Sequence, residues 1–459
     1  MAIQYDAIII GTGQAGPSLA ARLTGAGMKV GIAERGLVGG TCVNTGCTPT
    51  KTLVASAYAA HLARSAADFG VIIAGRVDVD MKRVKARKDA VSGGSRAKVE
   101  SWLQQMNNCT LYRGHARFES PREVSVGTTL LTADRIFINV GTRPHIPDLP
   151  GIDQIDYLTN STMMDIDFLP PHLMIVGGSY VGLEFGQMYR RFGSKVTIIE
   201  MMSRLVQHED EDVSDEIKGM LEREGINVRL NAKCIGFAKR GGEVVANLEC
   251  SEGPPEVTGS HVLLAVGRTP NTGDLGLEKA GVSLADKRGH ILTDDQLRTN
   301  VAGIWALGDC NGRGAFTHTA YNDFQIVAAN VLGQESRRVS DRITAYALYT
   351  DPPLGRAGMT EKEALKMGRP ILAAKWPMTR VARAIEKGET QGLMKVAVDR
   401  DSGQILGAAI LGTGGDEAIH CILDVMYAKA HYTVLQRAMH IHPTVSELIP
   451  TMLEELKPA

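Results

Sequence analysis

The sequence predicts an α/β protein: two doubly wound βαβ domains followed by a C-terminal α+β domain. Three observations predict it. A glycine-rich turn between a short apolar run and a helical stretch occurs twice, at Gly11–Gly16 and Gly177–Gly182. In each copy an acid closes the next strand 23 positions after the first glycine (34 − 11 and 200 − 177). From about Thr344 the pattern changes to short strands interleaved with helices. A chain of 459 residues has room for roughly three domains at about 150 residues each.

Taken in order, Ala7–Ile10 reads as a buried strand, and Gly11-Thr12-Gly13-Gln14-Ala15-Gly16 as the turn after it. A helix then runs to Gly27, and a strand over Val30–Ala33 ends at Glu34. The second copy repeats this: strand Leu173–Val176, turn Gly177-Gly178-Ser179-Tyr180-Val181-Gly182, helix to Gly193, strand Lys195–Ile199 and Glu200. Glycines at these positions permit a tight turn and close approach of a pyrophosphate to the helix N-terminus. The acid accepts hydrogen bonds from ribose hydroxyls. Each copy is therefore expected to be a Rossmann-like dinucleotide-binding unit. The proline-rich stretch Arg143-Pro144 to Pro147–Pro150, and Gly267-Arg268-Thr269-Pro270-Asn271, read as exits from these units. In the C-terminal portion, strands are expected at Lys395–Val398 and Ile405–Leu411, and helices at Asp416–Ala430 and Val445–Leu456. The basic run Lys82–Lys88 is expected to be a solvated helix face.

Composition narrows the function. Lys plus Arg total 50 and Asp plus Glu 51, a net charge of −1, which gives no global attraction to nucleic acid or anionic lipid. No apolar run approaches the ~18 residues of a membrane span. The first strand begins so near Met1 that no signal peptide is expected, and the chain is expected to be cytoplasmic. Seven cysteines in so long a chain do not make a disulfide scaffold, so any disulfide is expected to be catalytic. Cys109, Cys234, Cys250, Cys310 and Cys421 have no paired spacing and read as small apolar groups.

Cys42 and Cys47 stand apart, within Gly39-Gly40-Thr41-Cys42-Val43-Asn44-Thr45-Gly46-Cys47-Thr48-Pro49-Thr50-Lys51. Their separation is not a usual zinc spacing, and no metal site is expected. In a regular helix positions i and i+5 lie about 9 Å apart, too far to bridge. A disulfide between them requires a distorted turn, which Gly46 permits; strained, accessible disulfides tend to be the reactive ones. Beside a nucleotide fold the redox reading outweighs that of two bystander thiols. A thiol needs a base, and His442, with Glu447 five residues on to orient it, offers one. His420, His431 and His440 read as packing residues.

The first glycine turn, Gly39–Lys51, the second turn, Ala306-Leu307-Gly308-Asp309 and His440-Ile441-His442-Pro443-Thr444-Val445-Ser446-Glu447 follow in this order. Together they resemble the pyridine nucleotide–disulfide oxidoreductases, such as dihydrolipoyl dehydrogenase, glutathione reductase and mercuric reductase. The resemblance implies an FAD domain in two segments (1–145 and 269–340), an inserted NAD(P) domain (146–268) and a dimerisation domain (341–459). It implies that Gly11, Gly13, Gly16 and Glu34 hold the FAD pyrophosphate and adenosine ribose, with His115 and Ala116 near the adenine. Thr41 and Lys51 would lie along the flavin, Lys51 paired to Glu184, with Asp309 at the ribityl–phosphate region and Thr317 near the isoalloxazine. Gly177, Ser179, Tyr180, Gly182, Glu184, Glu200 and Gly267 would serve NAD(P), Tyr180 as an aromatic gate over the nicotinamide. Cys47 matches the charge-transfer thiol and Cys42 the interchange thiol. His442 and Glu447 would complete the partner subunit's site in a homodimer.

Glu200 would repel a 2′-phosphate, which favours NADH over NADPH. The His-Pro-Thr-x-Ser-Glu motif is shared with dihydrolipoyl dehydrogenases. Thr48-Pro49-Thr50-Lys51, Phe316-Thr317-His318-Thr319 and Asp351-Pro352-Pro353-Leu354-Gly355-Arg356 look more like a mercuric-reductase-like branch. That branch includes bacterial reductases of reactive chlorine or hypothiocyanous stress. The expected acceptor is thus a small disulfide, an oxidant or a soft metal. The competing readings are dihydrolipoyl dehydrogenase proper, mercuric reductase, an NAD(P)H oxidase, and a flavin-bound redox sensor without turnover.

Overall fold

In the computed structural model, which describes residues 2–249 and 253–459, the two repeated units form two parallel five-stranded sheets. The first has the order Ile304–Ala306, Ile136–Ile138, Ala7–Ile10, Val30–Glu34, Cys109–Arg113. Its first strand comes from far along the chain, so two sequence segments build one domain. The crossing points, Thr142–Pro144 and Arg268–Pro270, pair antiparallel with each other. The second sheet has the order Tyr157–Leu158, His261–Leu264, His172–Val176, Lys195–Ile199, Asn227–Arg229. A three-stranded antiparallel sheet (Cys234–Arg240, Glu243–Glu249, Glu256–Gly259) flanks it.

In both domains the strand before the glycine turn is central, with the order reversing beside it. That reversal opens a crevice at the carboxyl ends of the strands, where ligands bind in such sheets. The central strands are continuous apolar runs because helices cover both faces: Ala7, Ile8 and Ile9 have no exposed surface, nor have Leu173, Met174 and Ile175.

The C-terminal domain is a six-stranded antiparallel sheet in which Leu393–Asp399 and Ile405–Leu411 are central, with the helix Gly415–Tyr427 packed on it. This helix ends earlier than expected, two residues before Lys429, which adopts φ +51. The last helix covers only Leu448–Glu454, not Val445–Leu456. Starting at Leu448 places Pro450 in the first turn, where its missing N–H breaks no intrahelical bond; afterwards Lys457–Pro458 joins the sheet edge.

Three expectations need correction. Lys88 is not on a solvated face: it is buried, and its Nζ donates to the Met164 carbonyl at 2.7 Å and to Asp89. That carbonyl lies beyond the helix, where helical periodicity gives no notice of it. His420 is exposed rather than packed, on the side of its helix away from the buried Ile419 and Ile422. Of the unpaired cysteines, Cys310 is fully buried, whereas Cys109 and Cys421 are half-buried. Cys250 and the side chain of Cys234 lie outside the described residues.

Candidate active site

The two glycine turns repeat in space as they do in sequence. Gly11 and Gly177 have φ of +106 and +115, and a Cβ on either would lie 2.3 or 2.4 Å from a facing carbonyl, that of Asn139 or Ala265. A Cβ on Gly16 or Gly182 would lie 2.3 or 2.0 Å from the carbonyl of Gly11 or Gly177. The acids repeat as well. Glu34 accepts from Thr12 N at 3.0 Å and Gly36 N at 2.8 Å; Glu200 accepts from Gly178 N at 2.6 Å and Met202 N at 2.8 Å. Backbone donors thus orient each carboxylate at the mouth of its turn and leave its remaining lone pairs for a ligand.

A cavity of about 810 Å³ runs from the first turn to the second. It is lined by Gly11, Gly13, Glu34, Thr41, Cys42, Cys47, Lys51, His115, Ala116, Asp309 and Thr317, and at its other side by Ser179, Tyr180, Glu184 and Gly267. Gly16, Gly177, Gly182 and Glu200 stand outside this lining and act on the backbone of the turns. The size suits an extended ligand. The first turn also fits a pyrophosphate, since a Cβ on Gly40 would lie 2.8 Å from the Gly13 Cα: only bare backbone leaves that cradle open. Asp309 is fixed there by a bond from Thr142 Oγ1 at 2.9 Å, and Thr142 in turn accepts from Arg268 Nε at 2.6 Å.

Cys42 lies in a short helix (Gly40–Asn44), and Cys47 opens the long helix Cys47–Ser65. Between them the chain doubles back so tightly that a Cβ on Gly46 would lie 2.9 Å from the Thr41 carbonyl. This is the distortion that the cysteine spacing demands. The two thiols are not equivalent. Cys47 is lowered to about 6 by the hydrogen bond from Cys42, helped by the Thr317 hydroxyl at 3.1 Å and the Lys51 charge, against the effect of burial. Its place at a helix N-terminus acts in the same direction. Cys42 is pushed far up by the same bond, by burial and by the neighbouring thiolate. The reduced pair therefore keeps its proton on Cys42 and its charge on Cys47.

Lys51 Nζ donates to Glu184 Oε2 at 2.7 Å and lies 4.5 Å over the Tyr349 ring. Glu184 is buried and also accepts from Tyr349 N at 3.0 Å. Sequence reasoning missed Tyr349 and its neighbour Tyr346, although both precede the Asp351-Pro352-Pro353 stretch that it singled out. It also missed Asn139, whose Nδ2 donates to the Gly11 and Gly13 carbonyls at 3.3 and 3.2 Å.

His442 and Glu447 are paired, Nδ1 lying 2.9 and 3.1 Å from the two carboxylate oxygens. The pair does not line the cavity, and the His442 side chain is 74% exposed. Within one chain the base and the thiols are not brought together.

Residues 5–323 match the family described as pyridine nucleotide-disulphide oxidoreductase, and residues 344–453 match its dimerisation domain. The chain is 34% identical to the probable pyridine nucleotide-disulfide oxidoreductase RclA of Escherichia coli (strain K12), over 99% of this chain and 100% of that one. It is 33% identical to the mercuric reductase of Streptomyces lividans, over 97% and 94% of the two chains. To the dihydrolipoyl dehydrogenase of Thermus scotoductus it is also 33% identical, over 98% and 97%. A solved structure described as the Cu(II) complex of HOCl-induced flavoprotein disulfide reductase RclA from Escherichia coli is similar with a TM-score of 0.89. That similarity is at 33% identity and covers 98% of this chain and 99% of that one.

Proposed function

Since the chain belongs to the pyridine nucleotide-disulphide oxidoreductase family, as an FAD-dependent enzyme, we propose that it passes electrons from NADH to a Cys42–Cys47 disulfide and on to a small oxidised acceptor. The observation that carries this reading is the division of labour between the two thiols at one cavity. Cys47 holds the charge, stabilised by Thr317 and Lys51, while Cys42 holds the proton. Gly11–Gly13, Thr41 and Asp309 would hold FAD, which would supply the two-electron redox chemistry between the nicotinamide and the disulfide. The Lys51–Glu184 pair ties the helix that Cys47 opens to the helix after the second glycine turn. Tyr180 covers the side where the nicotinamide enters.

Glu200 supports NADH as the preferred coenzyme, because its carboxylate is pinned beside the second turn. Arg204, four residues on and a cation that could offset it for a 2′-phosphate, is paired with Glu211 at 3.2 Å. His442 and Glu447 support a site shared across a homodimer. His442 is exposed next to Met439 and Ile441, which are 98% and 79% exposed, an apolar surface of the kind that a partner covers. His442 would take the proton from Cys42 as it attacks, and return it to the leaving acceptor.

The acceptor is read as a small disulfide or a reactive chlorine or sulfur oxidant; similarity along the whole chain to an HOCl-induced disulfide reductase supports the oxidant. NADH oxidation with lipoamide, glutathione disulfide, hypothiocyanous acid or Hg²⁺ tests it. Turnover that survives Cys42→Ser and Cys47→Ser with every acceptor would overturn the dithiol reading.

A further inference from the structure

Tyr180 does not stand alone over its side of the cavity. Its ring meets Tyr346 edge-on, at 5.5 Å between centroids and 81° between planes, and Phe316 at 6.0 Å and 88°. Tyr346 and Phe316 are themselves stacked, at 5.5 Å and 15°. The Tyr346 hydroxyl donates to Glu209 Oε1 at 2.8 Å. The Glu209 side chain has no exposed surface. Its other oxygen accepts from Arg356 Nε at 3.0 Å and from the Arg356 Nη2.

Tyr180 and Glu209 come from the coenzyme domain, Phe316 from the FAD domain, and Tyr346 and Arg356 from the C-terminal domain. Glu209 lies in the turn before the helix Glu211–Arg223 of the coenzyme domain. Tyr346 and Arg356 lie directly opposite each other on neighbouring strands of the C-terminal sheet. A fully buried carboxylate is tolerated only when paired and hydrogen-bonded. Glu209 satisfies both demands at once, and so fixes the Tyr346 ring against a rigid sheet. Tyr180 therefore leans on a support that its own domain does not supply.

We propose that Tyr346, locked by Glu209 and Arg356, is a positioning residue that holds Tyr180 in its covering position and thereby sets nicotinamide affinity; this rests on the reading that the nicotinamide enters beneath Tyr180. A cover that must be displaced lowers apparent affinity by the fraction of molecules in which it is open. Weakening the support raises that fraction.

The test is calorimetric binding of NAD⁺ and of ADP-ribose, which lacks the nicotinamide, to the oxidised FAD-loaded enzyme. Tyr346→Phe keeps the ring but deletes the bond to Glu209. It should tighten NAD⁺ by about two- to tenfold, the net worth of one hydrogen bond removed from the support, and leave ADP-ribose unchanged. Tyr180→Ala should tighten NAD⁺ at least as much, and adding Tyr346→Phe to it should do nothing more. Phe316→Leu, which leaves Glu209 fully bonded, should give the same selective tightening and serves if Tyr346→Phe does not fold. Unchanged NAD⁺ affinity, equal shifts for both ligands, or a further gain on the Tyr180→Ala background would each overturn the inference. A wild-type enzyme that binds ADP-ribose but shows no competition from it against NADH would instead overturn the underlying placement of the coenzyme, and this inference with it.

Discussion

Lys51 Nζ and the Glu184 carboxylate meet at 2.7 Å, joining the helix that Cys47 opens to the first helix of the coenzyme domain. The ion pair thus spans the two nucleotide units at the cavity where they face each other. Its positive end is also one of the groups that lower Cys47.

That placement makes Lys51 a handle on thiol ionisation. A thiol lowered to about 6 is charged above that pH and is neutralised as pH falls through it. In the two-electron-reduced enzyme, the thiolate-to-flavin absorbance should therefore fade on acidification with a midpoint near 6. Lys51→Met should move the midpoint upward by about one pH unit, as expected for losing a nearby opposite charge. An unmoved midpoint would show that the hydrogen bonds from Cys42 and Thr317 alone set the ionisation.

The inequality of the two thiols gives a second expectation. Cys47→Ser should abolish the long-wavelength band. Cys42→Ser should retain it, and without prior reduction, because no disulfide can then form. Absorbance spectra of both variants before and after one equivalent of NADH decide this. A wild-type enzyme that reduces directly to fully reduced flavin without the band would remove Cys47 from its proposed role.

How far the chain could be read in advance depended on whether a constraint was local. The repeated turns were legible because a backbone that approaches another carbonyl so closely admits only glycine, and the acid 23 positions on (34 − 11; 200 − 177) closes the same short unit. The kink at Gly46 was legible for a similar reason: it lies between two cysteines that no regular helix could bring together. Tyr346 and Glu209 were not legible, being 137 residues apart and joined only where two domains meet. Lys88 shows the same limit on a smaller scale. Its neighbours Lys82 and Arg83 face solvent, whereas the Met164 carbonyl, 76 residues on, draws Lys88 inward. The start of the last helix was misplaced because Pro450 tolerates the first turn and no later one, a preference that apolar periodicity does not carry.

Coenzyme choice should follow Glu200. The wild type is expected to have the higher kcat/KM with NADH, since a 2′-phosphate beside this carboxylate would be a like-charge contact costing several kcal/mol. Glu200→Gln should shrink the ratio by improving NADPH more than it harms NADH. The same substitution keeps one acceptor oxygen for either Gly178 N or Met202 N and loses the other bond, so NADH binding should weaken somewhat while NADPH gains. A wild-type preference for NADPH would show that Arg204 leaves Glu211 to bind the phosphate.

The last expectation concerns the base that one chain cannot use alone. His442→Ala should leave flavin reduction by NADH intact, because hydride transfer needs no base at the thiols. Turnover of the acceptor should fall by about 10²–10⁴, the usual worth of a general acid–base. Glu447→Gln should cost less, since the imidazole remains and only its orientation and charge support are lost. The decisive measurement mixes a Cys42→Ser subunit with a His442→Ala subunit, each inactive as a homodimer. With sites shared across the interface, a hybrid dimer holds one site with both components intact and one with both altered, so about half of the wild-type sites should recover. Hybrid dimers that form, as native mass spectrometry would report, yet recover no activity would place His442 outside the partner subunit's site.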